Sequence, residues 1–282
     1  MTKTFYCDII TVYNNIPTAY YKFKAKEVSR LQENSCPSLL GILGGLGPMS
    51  GIYFCEMLTR HTYAKKDSDH LNFILSSRAD TPDRSSFILG QSSEDPTPRM
   101  RSEAKRLEAA GAELLVIPCN TAHYFYSKVA EAVDIPILNI IEETAKLCAI
   151  EKIKKVGVLA TKGTMTSGAY RDIFNSYGIE IAELTDSEQD FITETIFERI
   201  KSGIEPDIER FSSLCEELLS ERCERVILGC TELSLIKKEH ALPERVIDSL
   251  EVLCISALKI CNKTPIGFDK SLMKLYNSEK GI

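Results

Sequence analysis

Leu114-Leu115-Val116-Ile117-Pro118-Cys119-Asn120-Thr121-Ala122-His123 is the stretch on which the fold turns. Four apolar residues without alternation read as a strand inside a parallel sheet covered on both faces. Pro118 cannot donate to a ladder, so the strand is expected to end there. Cys119 then lies just past the carboxyl end of a strand, where open α/β sheets bind their ligands. The Asn120 amide and Thr121 hydroxyl stand beside the sulfur as hydrogen-bonding groups. A second stretch, Arg225-Val226-Ile227-Leu228-Gly229-Cys230-Thr231-Glu232, has the same construction.

Either cysteine alone reads as a small buried hydrophobe. The pair reads differently, because each follows a glycine-containing strand and turn at a similar interval: LLGILGGLGP at 39–48 before Cys119, and KVGVLATKGT at 155–164 before Cys230. That is an internal repeat, and two related halves facing each other set two sulfurs across one cleft. The first turn, with Pro48 opening a helix from about Met49 to His61, aims main-chain N–H groups and a positive helix end at the cleft, which suits a carboxylate. A dinucleotide fingerprint is not completed, since its third glycine falls on Ser50. A plain tight turn accounts for the same glycines.

Working outward, Leu71–Ser76 reads as a strand leading to Asp80-Thr81-Pro82-Asp83-Arg84, and the polar residues 92–98 as a mobile lid. From composition alone Arg84 is a surface cation, with Asp83 orienting it. Arg99–Ala110 reads as a helix stopped by Gly111, and His123 as a capping or packing group one turn beyond Cys119. Ile135–Ile140 is a further strand and Glu142–Ile150 a helix. In the second half, helices are expected over Asp190–Ser202 and 207–220, then a strand over Arg245–Asp248 and a helix over Glu251–Ile260. Residues 1–38 stand apart: a strand near Phe5–Tyr13, a turn at Asn14-Asn15 and a short helix over Ala25–Glu33 suggest an appended hairpin or oligomer contact, while a tag or disordered arm is the plainer reading.

The 282 residues suffice for one large or two medium domains, and 44% hydrophobic composition is that of a globular protein. A net charge of -6 without a basic face speaks against a nucleic-acid partner. No run is long enough to span a bilayer and no signal-peptide core is evident near the start, so a reducing, cytoplasmic setting and no membrane partner are expected. The 10 cysteines show no paired C-x-x-C spacing, and no structural metal is predicted.

GILGGLGP at 41–48, TPDRSSFIL at 81–89, PCNTAH at 118–123 and GCTEL at 229–233 resemble the cofactor-independent aspartate/glutamate racemase family, in its aspartate racemase branch. The glutamate branch carries a histidine after the second cysteine-threonine, where this chain has Glu232. The resemblance implies an α/β fold of two pseudo-twofold domains, each a mainly parallel sheet flanked by helices, with the active site between them. It places an N-terminal extension at 1–38, a discontinuous first domain at 39–135 plus 249–264, a second at 136–248 and a tail at 265–282. It further implies a homodimer, a small amino-acid substrate, no cofactor, and Cys119 and Cys230 as the acid/base pair. Arg84 matches the arginine that binds the substrate's side-chain carboxylate and Lys201 a substrate-binding lysine, although a solvated lysine at a helix end explains Lys201 as well. Asn120, Thr121 and Thr231 are expected to hold the α-carboxylate. A broader amino-acid racemase, a related two-cysteine enzyme acting on a hydantoin or maleate, and a non-catalytic amino-acid-binding module are the alternatives.

Overall fold

The unbroken apolar runs at Leu114–Val116 and Val226–Leu228 become strands buried on both faces. A computed structural model describes residues 36–269 and 272–273. The elements expected within residues 5–33 lie outside the described residues. The strands are β1 (Leu39–Gly44), β2 (Asn72–Ser77), β3 (Leu114–Val116), β4 (Ile137–Leu138), β5 (Lys155–Leu159), β6 (Glu180–Ala182), β7 (Arg225–Leu228) and β8 (Val246–Asp248). They form two four-stranded sheets of the same order, β2-β1-β3-β4 and β6-β5-β7-β8, and every neighbouring pair is parallel. The repeat seen in the sequence is therefore a repeat of topology.

The helices are α1 (Pro48–Arg60), α2 (Arg84–Ile88), α3 (Thr97–Ala109), α4 (Tyr126–Ala130), α5 (Ile140–Ile150), α6 (Lys162–Thr166), α7 (Ala169–Ser176), α8 (Asp186–Glu194), α9 (Ile208–Glu217), α10 (Leu233–Glu239) and α11 (Ser249–Ile260). Local chemistry starts them. Pro48 occupies the first turn of α1, where its missing N–H costs nothing. Asn139 caps α5 through the Ile141 and Glu142 N–H groups, and Asp248, at the matching place in the second half, caps α11 through Leu250 N–H.

Four expectations shift. The stretch expected to be a lid over 92–98 is shortened, because Asp95 Oδ1 accepts the Thr97 N–H at 2.8 Å and α3 begins there. The helix expected over Asp190–Ser202 starts at Asp186 on a Thr185/Glu188 capping box and widens into a π-turn over Thr195–Ile200. The helix expected over 207–220 likewise passes into a π-turn over Leu218–Arg222. Strand β4 pairs with β3, Leu115 beside Ile137 and Val116 beside Leu138, so the first sheet runs past the boundary expected at 135/136.

The halves share one apolar interior. Leu40, Phe54 and Met57 of the first half pack in a single cluster with Val156, Val158 and Phe174 of the second, and with Leu253 and Leu258 of α11. Helix α11 leaves the second sheet and packs against α5 and α1. Each fully buried leucine of this kind contributes about 2 kcal/mol, so this shared cluster joins the two halves. Among the described residues no helix is long and apolar enough to cross a membrane, and the described cysteines are unpaired.

Candidate active site

In each sheet the strand order reverses between the first and third strands of its half, and the crevice at the carboxyl ends of that pair is where a ligand settles. Cys119 follows β3 and Cys230 follows β7, so the repeat brings both sulfurs to one cavity. Its lining is Leu46, Asp83, Arg84, Ser85, Cys119, Asn120, Thr121, Thr161, Lys201, Cys230, Thr231 and Glu232. All seven residues singled out from the sequence are among them. The cavity holds only about 10 Å³, the room of a single water, so an amino acid can enter only if the halves part.

The two thiols are 6% and 5% exposed and sit in unlike surroundings. Burial pushes the Cys119 thiol up, while the Arg84 guanidinium pulls it down, the Glu232 carboxylate adds to the rise, and the Ala122 N–H and Lys201 lower it. Cys230 is raised well above the ordinary thiol range, first by burial and then by the Glu232 charge. Its S–H donates to Glu232 Oε2 at 3.0 Å. Lys201 Nζ lies 3.8 Å from the other Glu232 oxygen. Gly47 makes room for this carboxylate, since a Cβ there would strike Glu232 Oε1.

Arg84 is not the surface cation that composition suggests: it is 7% exposed at the start of α2. Its Nη1 donates to the Thr81 and Pro82 carbonyls at 3.3 and 3.1 Å, its buried Nε has no partner, and no ion pair satisfies it among the described residues. A buried guanidinium with no ion-pair partner within 4 Å is costly, and an anion in the cavity would offset that cost. Asp83, expected to orient Arg84, instead caps α2 by accepting the Ser86 N–H at 2.7 Å. Burial would raise its carboxyl, but the Ser86 N–H, Arg84 and Lys201 outweigh that and hold it below the usual range.

Hydroxyls close the cleft from both sides. Thr121 Oγ1 lies 2.7 Å from Thr164 Oγ1 and 3.2 Å from Thr161 Oγ1, and Ser85 Oγ donates to Thr161 Oγ1 at 3.1 Å. Gly163 lets α6 approach α2, because a Cβ would meet Ser85 Cα at 2.7 Å. Thr231 donates to the Pro118 carbonyl at 3.2 Å, so in this closed arrangement its proton ties the two cysteine loops together. His123 is a packing group: Nδ1 bonds the Cys119 carbonyl at 2.9 Å and Nε2 accepts the Ile140 N–H at 3.3 Å. Burial lowers its pKa to about 4, so it stays neutral.

A family model for Asp/Glu/hydantoin racemases matches residues 43–257. The chain belongs to that family. The broad specificity amino-acid racemase RacX of Bacillus subtilis (strain 168) is 25% identical over 224 residues, covering 78% of this chain and 96% of RacX. The solved structure of Picrophilus torridus aspartate racemase is similar at a TM-score of 0.69 and 28% identity, covering 85% of this chain and 99% of that one. An aspartate racemase homologue from Pyrococcus horikoshii OT3 matches at a TM-score of 0.66 and 29% identity, over 80% and 99%.

Sequence reasoning treated Glu232 of this racemase only as a branch marker and missed Ser85 and Thr161 as lining groups. Thr161 had a signal: it occupies, in the second half, the place of the glycine turn after β1. The Glu232 carboxylate had none beyond lying two residues after Cys230.

Proposed function

We propose that this racemase inverts the α-carbon of an acidic amino acid, with aspartate as preferred substrate and Cys119 and Cys230 as the two bases. The observation that carries the reading is two buried thiols at matching strand ends of a repeated sheet, lining one cavity with an unpaired buried arginine. Inversion needs a proton removed from one face and another supplied to the opposite face, which a single base does poorly. In one direction a thiolate at one cysteine takes the α-proton and becomes a thiol. The facing thiol then gives its proton to the carbanionic carbon and becomes the thiolate. The enzyme ends in the complementary protonation state, ready for the other enantiomer.

Burial raises both thiols, so ionisation needs help. Cys230 has Glu232 as a hydrogen-bonded proton acceptor, Cys119 has the Arg84 and Lys201 charges, and a bound ammonium adds a cation beside either. Negative charge building on the α-carboxylate is met by donors from Asn120 and Thr121 in a water-excluded cleft, where fixed dipoles act most strongly. Arg84 takes the side-chain carboxylate, which a guanidinium fork fits.

Aspartate is favoured by the likeness to the Picrophilus torridus aspartate racemase at 28% identity and to the Pyrococcus horikoshii aspartate racemase homologue at 29%. A broader range of amino acids is the second reading, favoured by RacX, which this chain matches over 96% of its length. The deciding experiment incubates single enantiomers of aspartate, glutamate, alanine, lysine and a substituted hydantoin in deuterium oxide, with chiral chromatography and mass readout. Selective inversion of aspartate with deuterium at the α-carbon is expected. Equal turnover of neutral or basic amino acids moves the assignment to the broad reading, and no exchange in any of them leaves a binding protein.

A further inference from the structure

Beneath the cavity floor a chain of polar groups joins the two cysteine loops. Ser249 Oγ, at the start of α11, donates to the Leu228 carbonyl at 2.7 Å. Asn120 Nδ2 donates to Ser249 Oγ at 3.0 Å, and Tyr170 OH, from α7, donates to Asn120 Oδ1 at 2.7 Å. Tyr170 is 1% exposed, Ser249 0% and Asn120 2%. Gly229 leaves the room this needs, since a Cβ there would stand 3.2 Å from the tyrosine oxygen.

One main-chain atom sets the polarity of this chain. The Leu228 carbonyl can only accept, so Ser249 must donate to it, and the serine oxygen is left to accept. The atom of Asn120 facing Ser249 must then be the NH2 group, its partner atom must be the oxygen, and Tyr170 must donate. Asn120 is thereby held in one of its two amide orientations, with its second Nδ2 hydrogen as the donor left for the cavity. Leu228 lies two residues before Cys230, and Asn120 directly follows Cys119. The end of one cysteine strand dictates what stands beside the other cysteine.

We propose that Tyr170 and Ser249 are positioning residues for racemisation: they lock the Asn120 amide with an N–H toward the substrate carboxylate and hold the two cysteine loops in register. This rests on the assignment of Asn120 as a carboxylate donor. Without the tyrosine hydroxyl or the serine oxygen the amide can turn over, presenting its carbonyl oxygen to an anion.

The test is a double-mutant cycle on kcat/KM with Tyr170→Phe, Ser249→Ala and Asn120→Ala, read beside the side-chain amide resonances of Asn120, identified by their loss in Asn120→Ala. Tyr170→Phe is expected to lower kcat/KM by roughly tenfold or more, mostly through kcat, and to have an effect of under about twofold once Asn120 is alanine. The two amide hydrogens of Asn120, shifted from the positions of a free side-chain amide and slow to exchange with solvent in the wild type, should move toward the free-amide positions and exchange faster in Tyr170→Phe and Ser249→Ala. Losses that multiply in the double variant would overturn the proposal, as would an amide pair unchanged in both single variants. If the wild type racemises nothing, the functional assignment falls, and the amide resonances still decide whether the two residues hold Asn120.

Discussion

Replacing Glu232 by glutamine keeps the shape of the side chain and removes its charge, and the consequence for Cys230 can be worked out. The sulfur and Glu232 Oε2 are 3.0 Å apart, and both residues are buried. Two like charges about 4 Å apart at an effective dielectric of about 20 repel by about 4 kcal/mol. Lys201, 3.8 Å from the other carboxylate oxygen, keeps its charge in the variant, so what the substitution removes is this repulsion together with the carboxylate that accepts the S–H. Cys230 should therefore titrate lower in Glu232→Gln. The two-base scheme needs one thiol still protonated, so the alkaline limb of the pH–kcat/KM profile should move down with it. Turnover should fall as well, because the proton acceptor for Cys230 is gone. Alkylation of Cys230 by iodoacetamide across pH, in a Cys119→Ala background with the product mapped by mass spectrometry, measures the same shift directly. A limb and an alkylation midpoint that stay in place, or move up, would refute the Cys230–Glu232 pairing.

Cys119→Ala and Cys230→Ala should each abolish racemisation while leaving the far-ultraviolet circular dichroism unchanged; full turnover in either removes that sulfur from the acid/base pair. Arg84→Ala should cost acidic substrates about 2–5 kcal/mol in kcat/KM, the range for removing one partner of a buried charge pair, and neutral ones far less; equal losses would count against side-chain carboxylate recognition. Because burial lowers the His123 pKa to about 4 from an unfolded value near 6.5, the unfolded chain binds the proton first as pH falls. That contribution to stability is complete above about pH 6.5 and about 3 kcal/mol of it is lost by about pH 4. Urea unfolding across this window should show the slope in the wild type and a flatter one in His123→Gln.

The strands were legible because a parallel sheet covered on both faces leaves an uninterrupted apolar run, as in Leu114–Val116 and Val226–Leu228. The cysteines were legible because the run, the turn and the sulfur occur twice. What stayed hidden depends on contacts that no local pattern encodes. Tyr170 sits on an amphipathic helix and reads as core, yet its hydroxyl ends 50 residues away on Asn120, which in turn reaches 129 residues to Ser249. Arg84 looks solvated in TPDRSSFIL, yet it is buried in the lining of a cavity to which both halves contribute. Strand β4 is two residues long, too short to announce the sheet it joins. The same repeat that made the site visible also explains why it is asymmetric. Duplicated strand order delivers a sulfur to each wall, but the residues after each sulfur are free to differ. Asn-Thr-Ala on one side gives amide and main-chain donors beside Cys119, and Thr-Glu on the other gives Cys230 a carboxylate. A symmetric scaffold therefore holds two thiols whose proton affinities differ, which is the condition for having one charged and one neutral at the same pH.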